Sequence, residues 1–479
     1  MPDTPQGAAF LKGPPLPAME SRITNDLSHE LSHQVAIIGG GLAGAAVLRG
    51  LLRYPHIAVD MYESRPTFRD EGPGLVFSTR ALHILAAIDP ELEHCLDRAG
   101  AVLTTSETRV ATGPDVGRKI EINGFGGNCK KNVSRQAFLA EMLGCVPPHM
   151  MHPSTRISSV TEQPSGQGLL LTFADGSERE YDIVIGADGT HGFTRQLVLG
   201  NDESLVRPYS TGFWSLPIKV PLRRAQQLMG SQSLDPRNPR HMGWIGDGTA
   251  IIYDLLDNGN EVQILVFGKA GDFREDDGLS EPSWAKLFTP DEFREMFSSN
   301  RVPVCQGTID VSHNCPTKSF MPRLTSSKLI LSVYTVQVAA LCLLEHQPAP
   351  TYVTENICLI GDSAHSMLPF QDASISVSIE EALILSTLLG RLPSKAAIPA
   401  ALRAFDQVCR PRAEQAARLS AETGLLITGR APGIGLNADL LQQNLNHKFD
   451  FLLNVDIETN RATAVMIMDQ LLGVGASWP

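Results

Sequence analysis

Residues 35–44, Val35-Ala36-Ile37-Ile38-Gly39-Gly40-Gly41-Leu42-Ala43-Gly44, set an apolar run directly against a glycine-rich turn. The run reads as a buried parallel strand, and the Ala- and Leu-rich stretch from Ala45 to Arg53 reads as the helix that follows it. Strand, turn and helix in that order form a dinucleotide fingerprint in which each glycine has its own task. Gly39 permits the tight turn, Gly41 lets a pyrophosphate approach the backbone at the helix N-terminus, and Gly44 lets helix pack on strand. Glu63 ends a second strand, Ile57 to Tyr62, about twenty residues past the last glycine, where a carboxylate can accept hydrogen bonds from ribose hydroxyls.

Two later segments repeat the strand-to-turn logic. Gly186-Ala187-Asp188-Gly189 follows the strand-like Asp182 to Ile185, and the turn signal Asp175-Gly176 joins that unit to a strand over Leu169 to Phe173. Gly361-Asp362-Ser363-Ala364-His365 follows a short buried strand, Ile357 to Ile360, and leads after a loop into helical Val377 to Leu389. Both aspartates therefore sit at carboxyl ends of strands, where open α/β sheets bind ligands. Taken together the three motifs imply FAD. His365 reads as a structural hydrogen-bonding residue of its turn.

From about Arg207 to Leu343 the pattern changes to strands without long helices between them: Tyr209 to Val220, Ala250 to Leu256 and Glu261 to Phe267. An antiparallel sheet is expected, with Asn258-Gly259 as a two-residue type I′ turn. The charged, helix-prone stretch Asp272 to Asn300 reads as a solvated face or small lid. Beyond Leu383 the chain is mostly helical, through Ala400 to Gly424 and again from Leu436, with Pro411 expected to kink or restart a helix. The fold class is α/β with an α+β substrate domain. A Rossmann-like FAD-binding domain (34–206 and 344–425) is expected to carry an inserted antiparallel-sheet substrate domain (207–343). A disordered leader (1–33) and a C-terminal helical segment (426–479) flank them.

With 479 residues, 43% of them hydrophobic and 19% charged, the chain can bury a sizeable core. Its net charge of −12 gives no electrostatic reason for a nucleic-acid or anionic-membrane partner, so a small-molecule substrate fits better. No apolar run approaches a membrane span, and the first 34 residues lack signal-like or transit-like patterning, so a cytoplasmic site is the default. Eight cysteines, at 95, 129, 145, 305, 315, 342, 358 and 409, show no CxxC and no zinc-like clustering with histidine. A reduced compartment and no metal are implied, with Cys358 a small core residue. The oligomeric state stays open.

These residues resemble the single-component FAD-dependent aromatic hydroxylases, specifically the salicylate hydroxylase-like branch of fungal secondary metabolism. The resemblance spans about Gln34 to Leu471 and rests on the three motifs in order. Glu71-Gly72-Pro73-Gly74-Leu75, Val133-Ser134-Arg135, and Arg410-Pro411-Arg412 with Ser420 and Gly424 add to it. It implies that Glu63 binds the adenosine ribose, Gly74 lines the ribityl side and Arg135 contacts the FAD phosphate region. It likewise implies that Asp188 and Gly189 serve FAD and an NAD(P)H groove, that Gly361 and Asp362 hold the ribityl or pyrophosphate segment, and that Ile375 lies on the loop passing the flavin. Arg410 and Arg412 read as surface or ion-pair residues. The family's chemistry uses NADPH or NADH, O2 and a flavin C4a-hydroperoxide. By that resemblance the activity is hydroxylation or epoxidation of a small, largely apolar polyketide, aromatic or terpenoid substrate, with the cofactor carrying the chemistry.

The chain departs from the family's pattern next to the reacting ring. Where the family has Pro, two residues and Gly-x-Gly, this chain has Pro369-Phe370-Gln371-Asp372-Ala373-Ser374-Ile375-Ser376, so Asp372, Ser374 and Ser376 stand at usual glycine positions. A carboxylate there opposes an anionic reduced flavin unless it is protonated or points into the substrate cavity. Asp372 is therefore a candidate catalytic residue. It leaves two activities open: the monooxygenase, or a non-redox isomerase or cyclase using Asp372 as acid or base. A second departure is Trp214-Ser215, where the branch often has an aromatic residue followed by arginine. Tyr253 is the other catalytic candidate, facing substrate on a neighbouring strand, with an aromatic packed on an alternating strand as its other reading.

Overall fold

The computed structural model of the chain describes residues 33–70, 72–122, 130–163, 168–269, 285–297 and 338–473. The leader up to residue 32, Glu71, Cys129, Cys305 and Cys315 lie outside the described residues, as does the Asp272 to Asn300 stretch apart from 285–297.

A five-stranded parallel sheet runs in the order Ile357–Leu359, Ile183–Gly186, His33–Ile38, Ile57–Tyr62, Met151–His152. His33 belongs to its first strand rather than to a leader. Side chains alternate along each strand, so Val35, Ile37, Ile183 and Ile185 enter one core while Ala36, Ile38 and Val184 enter another. A sheet covered on both faces reads as a continuous apolar run, which is the pattern of residues 35–38. The Leu42–Leu51 and Ala373–Leu389 helices cover the first face. The second of these is buried almost all round, which explains why its sequence shows no polar stripe. The strand registers Ile38 with Gly186 and Gly186 with Leu359 bring the carboxyl ends of three strands into line. The three glycine motifs therefore leave the sheet side by side.

The second large sheet has ten strands, nine of them in the order Ala285–Phe288, Val338–Glu345, Tyr209–Pro221, Glu261–Lys269, Thr249–Leu256, Arg240–Ile245, Val102–Val110, Lys130–Val133, Leu75–Ser78. Lys119–Ile120 pairs beside Val102–Val110. Strands from before residue 207 thus join those from after it. The sheet is antiparallel except at one step, where Arg240–Ile245 and Val102–Val110 run parallel. A smaller antiparallel sheet of Glu178–Tyr181, Leu169–Phe173 and Ile157–Glu162 contains the Asp175-Gly176 turn, with Gly176 at φ +83°.

Three local expectations are corrected. Leu256 pairs with Glu261, so the connection at Asn258-Gly259 is a four-residue loop and not a two-residue turn. Asp257, Asn258 and Gly259 all take positive φ there, and the Asn258 N–H donates to Gly100 O at 2.9 Å, which docks the loop on a neighbouring turn. Within Asp272 to Asn300, residues 285–288 form a strand, and Phe288, Phe293 and Phe297 are buried core residues around Trp214. Finally, the Ile398–Ile427 helix is continuous through Pro411, so no new helix starts there.

Candidate active site

The turn glycines differ in what surrounds them. A Cβ on Gly39, which has φ +113°, would run into Ala187 O, and one on Gly44 would run into Gly39 O. A Cβ on Gly41 meets nothing within 4 Å, because Gly41 faces an open groove of about 960 Å³. Glu63 sits across that groove and accepts from the N–H of Gly40 at 3.2 Å and of Arg65 at 2.8 Å. Gly39, Gly41, Glu63, Arg135, Asp188, Gly189, Asp362 and Ile375 all line this one groove, with Gly44 and Gly361 behind it. Arg65, Arg69 and Arg156 line it too, adding cations that the motif reading did not single out. Arg135 begins the Arg135–Gly144 helix and is braced by Asp70 at 3.1 Å and Pro73 O at 3.3 Å. A backbone cradle that a methyl group would fill, rimmed with arginines and a strand-end carboxylate, fits FAD.

The two Gly-Asp turns are built differently. The Asp188 carboxylate is committed to its own chain: Thr194 donates to it through both N–H and Oγ1. Burial pushes its acid up, and those bonds pull against it. Asp362 accepts Ser374 Oγ at 2.6 Å on one oxygen. The glycine-position serine thus holds the motif aspartate. Ser363 Oγ donates to Gly186 O at 2.6 Å, tying the third motif to the second. Arg195, only 1% exposed, fans its guanidinium over four carbonyls, those of Leu205, Gln347, Ser363 and Ala364 at 2.5–3.1 Å. Burial lowers its pKa to about 10. His365 donates or accepts at Glu381 Oε1 (2.8 Å), while Glu381 Oε2 takes the Gly361 N–H at 2.9 Å. The histidine is a buried structural residue of its turn, as its sequence position suggested.

A second cavity, of about 910 Å³, adjoins the groove and shares Arg135, Asp188, Gly189, Asp362, Ser374 and Ile375 with it. Gly74 opens onto this cavity and not onto the groove, its N–H donating to Gln263 Oε1 at 2.5 Å. Much of the wall is apolar, including Ile252, Leu265, Phe267, Leu343 and Phe370. Across the sheet floor runs a polar row that the strand registers set: Ser106 beside His241, and Asp254 beside Gln263. Asp254, 2% exposed, accepts Asn132 Nδ2 at 2.7 Å and pairs with His241 Nδ1 at 2.6 Å. His241 lines the cavity, so Nε2 is the ring nitrogen left to meet a ligand. Lys130 and Asp372 line the same end. Burial holds the Lys130 ammonium low, opposed by Asp372 and Asp254, and it pushes the Asp372 acid up, opposed by Lys130 and His241.

Tyr253 is not in this cavity. Side chains alternate, so Ile252 and Asp254 face it while Tyr253 and Ile251 point into the core with Trp214 and Ile264. The expected catalytic tyrosine is therefore a core residue, one position away from the cavity-lining Asp254. Trp214 follows the same rule: it is 2% exposed, lies over Gly268 and packs tilted against Phe288 with ring centroids 5.0 Å apart, whereas Ser215 lines the cavity. Asp372 does reach the cavity. It takes the left-handed conformation, φ 54°, immediately before the Ala373–Leu389 helix, which explains why glycine suits this place and why aspartate, tolerant of that region, can replace it. His241, Asp254 and Lys130 were missed. One signal was present: a lone aspartate inside the apolar run Ala250 to Leu256.

No family model matches the chain. It is 26% identical over 449 residues to 6-methylsalicylate 1-monooxygenase of Aspergillus terreus, covering 91% of this chain and 93% of that protein. It is 27% identical over 465 residues to salicylate hydroxylase of Pseudomonas putida, covering 91% and 96%. An FAD-dependent monooxygenase of Phaeosphaeria nodorum is 26% identical over 451 residues, covering 91% and 86%. Among solved structures, a salicylate hydroxylase substrate complex superimposes with a TM-score of 0.73 at 23% identity, covering 91% of this chain and 98% of that one. The resemblance carried by the motifs is borne out, and the solved structure shares the fold.

Proposed function

We propose, from the premise that this chain is a salicylate hydroxylase-like FAD-dependent monooxygenase, that it uses NADH or NADPH and O2 to hydroxylate an aromatic substrate carrying a ring hydroxyl. When bound, FAD supplies the redox and oxygen-activating chemistry. The chain's own residues do the rest. The Gly39–Gly41 turn, Glu63, Arg135 and Asp362 hold the cofactor, and Gly189 and Ile375 border the opening between groove and cavity. The apolar wall excludes water and orients the ring. His241 Nε2 takes the proton of the substrate hydroxyl: the O–H bond breaks, an N–H bond forms, and the ring becomes more electron-rich. Asp254 orients the imidazole and balances its charge, and Asn132 holds Asp254 in place.

The observation that carries this reading is the 2.6 Å His241–Asp254 pair on the wall of a cavity that opens into the groove. The comparisons lend no support to a non-redox isomerase or cyclase. Small hydroxyarenes would be offered to the FAD-loaded protein, with NAD(P)H oxidation, flavin reduction and product each followed. His241→Asn should bind FAD normally and let the flavin be reduced, yet hydroxylate about 10²- to 10⁴-fold more slowly, the usual worth of a positioned base. Hydroxylation by that variant at the parent rate would remove His241 from the mechanism. A parent flavin that stays oxidised with both nicotinamides would remove the monooxygenase itself.

A further inference from the structure

The floor of the cavity runs on past the polar row that takes the substrate hydroxyl. His241 and Ile245 stand on the cavity side of one strand, and Asp254 and Ala250 on the cavity side of its neighbour. The register sets Ile245 against Ala250, so both strands carry the floor to the same line. Four residues of strand cover about 13 Å. A single ring with its hydroxyl covers about half of that, at carbon–carbon bonds of about 1.5 Å. The far end of the floor is apolar: Ile120, Ile245, Ala250, Ile427 and Leu445 line the cavity there, and all but Ile427 are buried. Ile120, Ile245 and Leu445 share one core cluster, and Ile427 packs against it. Lys119 and Glu121 flank Ile120 and line the cavity too, but they are exposed and face each other at 3.6 Å. The helix that supplies Leu445, Ala438–Leu453, is pinned to the chain beneath it. Its Ala438 N–H donates to Asp115 at 2.9 Å, Gln442 accepts the Glu121 N–H at 3.0 Å, and Asp439 pairs with Arg118. The end of the cavity is therefore shaped by the fold.

We propose that the substrate is a hydroxyarene carrying an apolar chain, and that Ile120, Ile245, Ala250, Ile427 and Leu445 form the subsite for that chain. With the hydroxyl on His241 Nε2, the chain leaves the opposite side of the ring and runs along the strand to Ile245. A chain of about four to six carbons fills the remaining distance. None of the five residues lines the groove that fits FAD, so chain and cofactor are served by different walls. Burial of the chain adds affinity that a bare ring lacks. It also anchors the ring at two points, the hydroxyl and the chain, and so fixes which ring carbon is presented for hydroxylation. This rests on the reading that the cavity is the hydroxylation site, and it narrows that reading to one class of substrate.

The test is equilibrium binding to the FAD-loaded protein, followed by the perturbation of flavin absorbance, with phenol, 4-ethylphenol, 4-butylphenol and 4-hexylphenol as probes. The para position sets the chain opposite the hydroxyl, on the line from His241 to Ile245. Each methylene that reaches the subsite should tighten binding about fourfold, so 4-butylphenol should bind more than about a hundredfold tighter than phenol. Ile427→Trp fills the subsite from the helix side and Ala250→Leu fills it from the floor. Either variant should leave phenol binding unchanged and bring 4-hexylphenol to within about threefold of 4-ethylphenol, and the second keeps the test standing where the first fails to fold. Binding needs no turnover, so its outcome is separate from that of the His241 experiment: a flavin that stays oxidised sinks the monooxygenase, whereas the chain-length series alone decides the subsite. Affinities that stay within about threefold from phenol to 4-hexylphenol would overturn the proposal. So would a folded, FAD-loaded Ile427→Trp or Ala250→Leu protein that weakens phenol and 4-hexylphenol by the same factor, or that leaves the series as it is in the parent.

Discussion

Replacing Gly41 by alanine should separate folding from cofactor binding. Gly41 sits at φ −79°, ψ −173°, in the extended region that any L-residue adopts, and a Cβ there meets no atom within 4 Å. Losing glycine's freedom in the unfolded chain stabilises by about 0.4–1 kcal/mol, and losing a better N-cap residue costs about the same. The apoprotein's urea midpoint should therefore move little. The same methyl group projects into the groove where the pyrophosphate would lie against the helix N-terminus. Disturbing one charge-assisted hydrogen bond costs roughly 1.5–3 kcal/mol, or about 10- to 150-fold in affinity. FAD titration of apoprotein by flavin fluorescence, beside urea unfolding without FAD, measures both. Gly39→Ala is the contrasting variant, because its Cβ runs into Ala187 O and its φ is +113°, so it should lose stability with or without FAD. If Gly41→Ala bound FAD as the parent does, the placement of the pyrophosphate at this turn would be wrong. If its apoprotein unfolded several kcal/mol more easily, the open space at Gly41 would be wrong.

Three further outcomes follow from buried groups. Arg195→Met leaves four carbonyls without their guanidinium, and even after recovering the cost of burying a cation it should lose about 2–4 kcal/mol in urea unfolding, with Arg195→Lys failing to restore the fork. Tyr253→Phe should leave kcat/KM for any accepted substrate within about twofold, since the ring lies in the core, whereas Asp254→Asn should cost it more than about tenfold. Burial first, then Arg195 and His191, hold the His346 pKa down to about 3. The unfolded chain therefore takes up a proton from pH 6.5 downward that the folded chain refuses until about 3, so stability falls as pH drops through that window. At pH 4.5 the loss is about 2.7 kcal/mol, and His346→Leu should abolish that part of the acid sensitivity in a pH series of urea midpoints.

The cofactor half of the site was legible because its signals are local. Gly39, Gly41 and Gly44 sit within six residues, and each Gly-Asp turn directly follows its strand. The substrate half was not, because its groups meet only through strand pairing. Asn132 reaches Asp254 across 122 residues, and Lys130 and Asp372, from distant parts of the chain, line one cavity. Tyr253 shows how narrow the margin is: alternation places every second residue on the opposite face, so a motif alignment shifted by one picks a core residue instead of Asp254. The loop at Asn258 was read for the positive φ that it does adopt, yet it is four residues long and is docked by a hydrogen bond to Gly100, far outside any local window.

The one parallel step in the ten-stranded sheet bears on how this enzyme can be recombined. Arg240–Ile245 hydrogen-bonds along Val102–Val110, and that strand leads on to Lys130–Val133 and Leu75–Ser78. Cutting the chain near residue 207 and grafting the downstream piece onto a relative would set the Arg240–Ile245 strand against a foreign partner strand and part Asp254 from Asn132. Specificity is thus inherited as a pair of segments, roughly 75–133 with 209–345. Chimeras that exchange both together should keep a closed sheet and a complete polar row, while those that exchange one should have neither.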